Sequence, residues 1–245
     1  MDIKICHIYP DAMNLYGDRG NITCMAQRLK WRGIGCTLTE MPVGSGEGFS
    51  DCDLFFIGGG QEFEQEVILK DFFATKAAGI RAAIDDGKTF LTVCGGYQMM
   101  GHYYQNAKGE KIDLLGAADL HTVCESRRMT GDYAFTVNTG AGETAVIAFE
   151  NHPGRTYLGE NAAALGKVIK GFGNNGQDGT EGVRHKNLFG TYGYGPLLPK
   201  NPALCDYILL TALERKYGSA ELSPLEDNFE NAAHDIMLDR LLRSK

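Results

Sequence analysis

The sequence predicts an α/β protein: a mostly parallel central sheet flanked by helices, with antiparallel β-hairpins added in its second half. Three observations lead there. Strand-like and helix-like stretches alternate through the first hundred residues. Two continuous apolar runs, "CDLFFIGGG" (52–60) and "FLTVCGGYQ" (90–98), end in glycines, as strands buried on both faces of a parallel sheet do. From about residue 112 the pattern turns to period-two segments separated by glycines, the mark of antiparallel hairpins.

Taken in order, "IKICHIY" (3–9) reads as a strand, "NITCMAQRLKWRG" (21–33) as a helix stopped by Gly33, and "GCTLTEM" (35–41) as a second strand. The run at 52–60 is the third strand. A long helical stretch, "EFEQEVILKDFFATKAAGIRAAIDDG" (62–87), follows, with a break near Gly79. Phe90, Leu91 and Val93 form a fourth strand, Gly95 and Gly96 turn the chain, and "YQMMGHYY" continues as a helix. "DYAFTVNTG" (132–140) and "ETAVIAFEN" (143–151) pair as a hairpin, "GFGNNGQDGTEG" (171–182) is a polar loop, and helices close the chain at about 202–217 and 225–243. With no internal repeat or low-complexity linker, residues 1–245 read as one domain whose C-terminal helical extension begins near 218.

Composition narrows the function. With 43% hydrophobic and 22% charged residues the chain has the balance of a soluble globular protein. No apolar run approaches the roughly 18 residues needed to cross a bilayer, and the start, "MDIKICHIYP", lacks signal-peptide anatomy; the expected location is cytoplasmic. Seven cysteines, at 6, 24, 36, 52, 94, 124 and 205, are scattered and never form a Cys-x-x-Cys pair, which argues against a disulfide framework or a zinc site. A net charge of −7 gives no footprint for nucleic acid, and "SRRM" (126–129) is too short for a basic stripe.

Ligands of parallel sheets bind beyond the C-terminal strand ends, where "FFIGGG" and "LTVCGG" both finish. An elbow at Cys94 would hold its thiol clear of its surroundings at a helix N-terminus, which favours a thiolate. Cys94 is therefore a candidate nucleophile of lowered pKa, although free cysteine is also among the most buried residue types, and this stretch alone leaves both readings open. Backbone N–H groups of the 58–60 turn and of Gly95 could hold the oxyanion formed when Cys94 attacks a carbonyl, at about 10²–10³ in rate per donor; "GGG" alone is also an ordinary tight strand exit. No Lys-Ser/Thr follows the glycines, so a phosphate cradle is disfavoured.

Five stretches, "IYPDAMNLYGDRGNI", "FFIGGGQEFEQ", "LTVCGGYQMMG", "FENHPGRTYLG" and "GTYGYGPLLPKNP", resemble the cobyric acid synthase-like branch of the class I glutamine amidotransferases. Within it the resemblance is to the GatD-like glutaminase subunits of lipid II isoglutaminyl synthase; it runs from about residue 3 to residue 217 with the motifs in family order. It implies a three-layer fold and hydrolysis of L-glutamine to glutamate and ammonia. Cys94 would be the nucleophile, Gly59, Gly60 and Gly95 the oxyanion hole, and Gln98 a residue lining the glutamine pocket. Arg128 would clamp the substrate carboxylate, a bidentate match; without the resemblance it reads as a solvated surface charge. Ammonia would pass to a MurT-like Mur ligase in a heterodimer, and that partner, using ATP and magnesium, would amidate the D-glutamate α-carboxylate of the lipid II stem peptide. The resemblance implies no cofactor in this chain and no membrane insertion, although the substrate of the complex is lipid-linked.

One position departs from the family. Where the family has histidine in "GTY-x-His-Gly-Pro", this chain has Tyr194. With a reference pKa of about 10, only roughly one tyrosine in a thousand is phenolate near pH 7, too few for an efficient base, although the hydroxyl can still donate to a departing nitrogen. Three histidines are rescue candidates: His152 in "FENHPGRTYLG", His185 nine residues before Tyr194, and His7 at the end of the first strand. Two residues beyond Tyr194, Pro196 stands where a third catalytic carboxylate is usual. Two classes therefore remain: an active glutaminase subunit, or a weak or inactive chain that binds and stabilises its synthetase partner.

Overall fold

The structure is a computed structural model, and it describes residues 1–60 and 68–243. The first sheet has six strands in the order β11-β12-β4-β3-β1-β2: β1 (Asp2–Ile8), β2 (Gly35–Met41), β3 (Leu54–Ile57), β4 (Thr89–Val93), β11 (Val183–His185) and β12 (Leu188–Thr191). All neighbours run parallel except the β11–β12 hairpin. Every residue of β3, β4 and β12 is buried, while edge strand β2 is mostly exposed. The continuous apolar runs are thus the central strands.

Helix α1 (Arg19–Trp31) joins β1 to β2. Between β3 and β4 the described chain is helical from residue 68 onward, through a π-turn at Phe72–Lys76 and into α2 (Ala77–Asp85); the first residues of the stretch expected at 62–87 lie outside the described residues. The irregularity is the π-turn and not Gly79, which lies inside regular α2 with Phe49 packed against it. The π-turn rolls Lys76 inward, where its ammonium is fully buried, bonds Asp71 at 2.7 Å and lies 4.5 Å from the centre of the Tyr9 ring.

After the short α3 (Gly95–Gln98) the chain builds a second sheet from β5 (Tyr103–Gln105), β6 (Lys111–Asp113), β7 (Leu120–Asn138), β8 (Glu143–Leu158), β9 (Gly166–Lys170) and β10 (Thr180–Glu181). The expected hairpin is its spine: β7 and β8 pair antiparallel, Asp132 opposite Phe149, with an irregularity between Cys124 and Met129. Helix α4 (Pro202–Tyr217) packs on α1 and β4, and α5 (Asn228–Arg243) lies against β7 and β8. Buried Arg28 ties this end down, bonding Asp206 and Asp227 at 2.6 Å each. Among the described residues no disulfide joins the cysteines, and no helix is long and apolar enough to cross a membrane.

Candidate active site

The site is built where β3, β4 and β12 end. Strand β4 stops at Val93, and Cys94 takes φ 47° and ψ −104° before α3 begins. A non-glycine residue there is strained and persists only where its surroundings fix it. The Cys94 N–H still donates to Thr191 O (2.8 Å), and its carbonyl accepts the first helical bond from the Gln98 N–H (2.8 Å). The next turn leaves no room for a side chain at Gly96: a Cβ there would lie 2.7 Å from Ile57 O and 2.9 Å from Gly58 O. The Gly96 N–H donates to Gly58 O at 3.2 Å, so the two glycine turns touch.

The elbow does not produce the expected low pKa. Cys94 is only 6% exposed, and burial pushes the thiol up to about 12, outweighing the Tyr194 hydroxyl, which favours the thiolate; the Asp18 carboxylate raises it further, and the Gly95 N–H and the Arg128 charge lower it. Helix α3 is four residues long, too short to build the end charge of a full helix. Desolvation wins.

Tyr194 follows β12 and is fixed by a backbone bridge to Phe149, its N–H donating to Phe149 O at 2.9 Å. Its hydroxyl hydrogen-bonds the Cys94 thiol, and burial followed by the nearby thiol holds its pKa well above the usual value. The ring stands edge-on to Tyr16, centroids 4.9 Å apart. It also presses on Gly59, where a Cβ would lie 2.7 Å from Tyr194 Cε1. Tyr194 is therefore a neutral donor to sulfur.

The Gly59 N–H, expected to face an oxyanion, donates instead to Asp18 Oδ2 at 2.7 Å. Asp18 is fully buried, burial pushes its carboxyl up to about 7 against the opposing Gly59 bond, and its Oδ1 has no hydrogen-bond partner among the described residues. Gly95 donates to the Cys94 sulfur itself, and Gly60 is half-buried at the edge of the described segment. Arg128 emerges from the irregular stretch of β7; its Nε donates to Asn151 Oδ1 (2.8 Å) and its Nη2 to Asn151 O (3.0 Å). Asn151 in turn donates to the Tyr16 hydroxyl at 2.6 Å. A chain of contacts thus runs from Arg128 through Asn151 and Tyr16 to Tyr194.

The model of the CobB/CobQ-like glutamine amidotransferase domain matches residues 4–202. The chain belongs to this family. It is 40% identical over its whole length, and over 98% of the relative, to the lipid II isoglutaminyl synthase (glutamine-hydrolyzing) subunit GatD of Staphylococcus aureus. With the subunit of the same name from Streptococcus pneumoniae it shares 36% identity over 92% of this chain and 86% of that one. Two solved structures from Thermotoga maritima share the fold, each with a TM-score of 0.52. One is PurLQS (17% identity, 87% of this chain and 99% of that one), and the other a glutamine amidotransferase (14% identity, 99% of each chain).

For a glutamine amidotransferase of this family, the other candidate residues fall in distinct places. Gln98 is buried, its Nε2 donating to the Tyr192 hydroxyl at 3.0 Å, and that hydroxyl shares a 2.6 Å bond with Thr156 Oγ1. His152 stacks flat on Tyr192, centroids 3.5 Å apart, with Nδ1 2.8 Å from Gly154 O. It is fully buried, and burial lowers its pKa. His152 thus meets the site through Tyr192. His185 pairs with Leu188 at the start of β12, the opposite end of the strand from Tyr194, and is not brought to the site. His7 is held neutral, its pKa lowered to about 4 by burial first and the Arg19 charge second, with its ring against Phe56. Among the described residues no three His, Cys, Asp or Glu side chains form a metal-binding group. Sequence reasoning missed Asp18, Tyr16, Asn151 and Tyr192, although all four lie in stretches that carry the resemblance, "LYGDRGN", "FENHPGRTYLG" and "GTYGYGP".

Proposed function

We propose that this chain is the glutamine-hydrolysing subunit of a lipid II isoglutaminyl synthase, working with a MurT-like Mur ligase partner in the cytoplasm. The observation that carries this reading is the strained Cys94 elbow against the Gly58–Gly59 turn, in a chain 40% identical end to end to a GatD subunit. Arg128, steadied by Asn151, would pair with the α-carboxylate of glutamine. Cys94 Sγ would attack the side-chain amide carbon; the S–H bond breaks as the C–S bond forms, the C–N bond breaks, and the Tyr194 hydroxyl gives its proton to the leaving nitrogen while the thiol proton replaces it on the Tyr194 oxygen. Water then hydrolyses the thioester. The partner would use ATP and magnesium to activate the D-glutamate α-carboxylate of the stem peptide, which the released ammonia converts to the amide.

A second reading, a chain that chiefly stabilises its synthetase, is favoured by Tyr194 standing where the family base is expected and by a thiol held up to about 12. The deciding experiment measures glutamate and ammonia release from glutamine by the chain alone, by the chain with its partner, and by Cys94→Ala. Turnover that needs Cys94 supports the glutaminase. If the complex amidates lipid II from free ammonia only, and never from glutamine, the second reading replaces it.

A further inference from the structure

We infer that Cys24 and Cys205 form a peroxide-sensitive thiol pair, in which Cys24 takes up the oxidation and Cys205 closes it as a disulfide joining α1 to α4. The inference is independent of the glutaminase reading, which uses neither thiol. Its ground is proximity: the two sulfurs lie 3.8 Å apart, although 181 residues separate them in the chain. Both sit on helices that pack directly on each other, so the contact is fixed by the fold and not by a loop. The pair is also asymmetric. Cys205 is fully buried, whereas Cys24 is partly exposed and lines a groove of about 400 Å³ together with Gln27, Trp31 and Pro202. A small oxidant entering that groove meets Cys24 and not Cys205. Electrostatics gives the same order. The Cys205 thiol, donating its S–H to a Cys24 thiolate, and then the Arg28 charge one turn along α1 lower the Cys24 pKa against burial and the Asp206 and Asp227 carboxylates. Burial first and the neighbouring Cys24 second raise that of Cys205. Oxidation-sensing cysteines combine a favoured thiolate, solvent access and a resolving thiol alongside. A second pair, Cys6 and Cys52, also touches, but both of its members are buried and it lacks the access.

The steps balance with hydrogen peroxide as the oxidant. The Cys24 sulfur attacks one peroxide oxygen; the S–O bond forms, the O–O bond breaks, and the leaving hydroxide takes the Cys24 proton to become water. Two electrons pass from sulfur to the peroxide, which is reduced while Cys24 becomes a sulfenic acid. The Cys205 sulfur then attacks the Cys24 sulfur; the S–S bond forms, the S–O bond breaks, and the departing hydroxide leaves as water with the Cys205 proton. Closure brings the sulfurs from 3.8 Å to about 2.05 Å. A reducing dithiol reverses it by exchange, so the disulfide is transient wherever thiols are kept reduced. The bond also closes a clamp. Asn21, one helical turn before Cys24, accepts the Leu198 N–H at 2.9 Å, and Asn201, just ahead of α4, donates to Leu197 O at 2.7 Å. The turn that follows Tyr194 is thus gripped by the two segments that the disulfide joins.

The test treats the full chain with a small molar excess of hydrogen peroxide, blocks the remaining thiols with N-ethylmaleimide and maps tryptic peptides without reductant. The expected product is a link between peptides 20–28 and 201–215 that dithiothreitol removes. The Cys24 thiol should be lost about tenfold faster than that of Cys36, whose pKa burial raises. In Cys205→Ala the link is absent and Cys24 accumulates as a sulfenic acid that dimedone traps; in Cys24→Ser, Cys205 stays reduced. Oxidation should raise the melting temperature of the original chain, because the bond closes a long loop, and of neither variant. Peroxide that consumes Cys24 without producing the link overturns the inference. So does a Cys6–Cys52 link that forms first, since contact without access would then suffice, and so does a sulfenic acid trapped on Cys205 in place of Cys24.

Discussion

Replacing Tyr194 with histidine should raise glutamine hydrolysis by about 10²-fold, and the factor follows from the state of the thiol. At pH 7.5 a thiol pushed up to about 12 is ionised in only about 3 parts in 10⁵. An imidazolium partner that restores the reference value of about 8.5 raises that fraction about 3,000-fold. The less basic thiolate is a poorer nucleophile, and a Brønsted coefficient of about 0.4–0.5 removes about 40-fold of the gain. What remains is close to about 10², at the low end of general acid–base effects. The imidazole is smaller than the phenol ring now pressed on Gly59, so the exchange needs no backbone movement. The assay is ammonia release by the partnered chain, comparing the original, Tyr194→His and Tyr194→Phe. The phenylalanine variant loses the donor to sulfur and should be roughly tenfold slower or worse, since hydrogen bonds to charged groups are worth about 1.5–3 kcal/mol. A histidine variant no faster than the original would refute the reasoning, because the thiol would then not be what limits the rate.

Three further outcomes are expected. Arg128→Ala should raise the KM for glutamine far more than it lowers kcat, and Asn151→Ala should do the same more weakly by releasing Arg128 Nε; unchanged KM in both would remove the clamp. Iodoacetamide at pH 7.5 should modify the partly exposed Cys24, Cys36 and Cys124 before buried Cys94, a ranking that peptide mapping reads directly and that preferential Cys94 labelling would contradict. Burial pushes the Glu181 carboxyl up to about 7 against its bonds to Thr191 and Tyr192. A raised carboxyl contributes stability that is complete below its unfolded value of about 4.5 and lost as pH climbs through 7. Urea unfolding of the original chain minus Glu181→Gln should therefore fall by about 3 kcal/mol between pH 4 and pH 8, and a difference that stays flat would show that Glu181 is not desolvated.

The central strands β3 and β4 were legible because both are buried on both faces, and burial on both faces leaves an apolar run in the sequence; β12, equally buried but reading "LFGT", left no such run and was not found. The long hairpin announced itself through period-two alternation. The π-turn did not: Lys76 in a helical stretch reads as a surface charge, and only the tertiary pairing with Asp71 and Tyr9 draws it inside. Asp18 was hidden for a similar reason. An aspartate just ahead of a helix looks like an N-cap, yet its side chain caps nothing in α1 and instead reaches Gly59, 41 residues on. The elbow at Cys94 was visible in its glycines, but the thiol's environment was not, since no local pattern reveals how completely the surrounding strands exclude water. Arg128 was found by resemblance; its support, Asn151, sat inside "FENHPGRTYLG" without a sign of its own, because the bond between them joins two strands 23 residues apart.

The conformation of Cys94 bears on how such a chain ages. Holding a cysteine at φ 47° costs of order 1–3 kcal/mol, and glycine would occupy the same position almost freely. Selection for stability alone therefore favours Cys94→Gly, and that substitution destroys the nucleophile. A lineage released from catalysis, keeping this subunit only as a brace for its partner, would gain by discarding the thiol first. The cysteine is still here, at a place in the site where thermodynamics argues against it, and reconstructing the ancestry of this position beside that of Tyr194 would show whether the thiol was kept under demand while its neighbour changed.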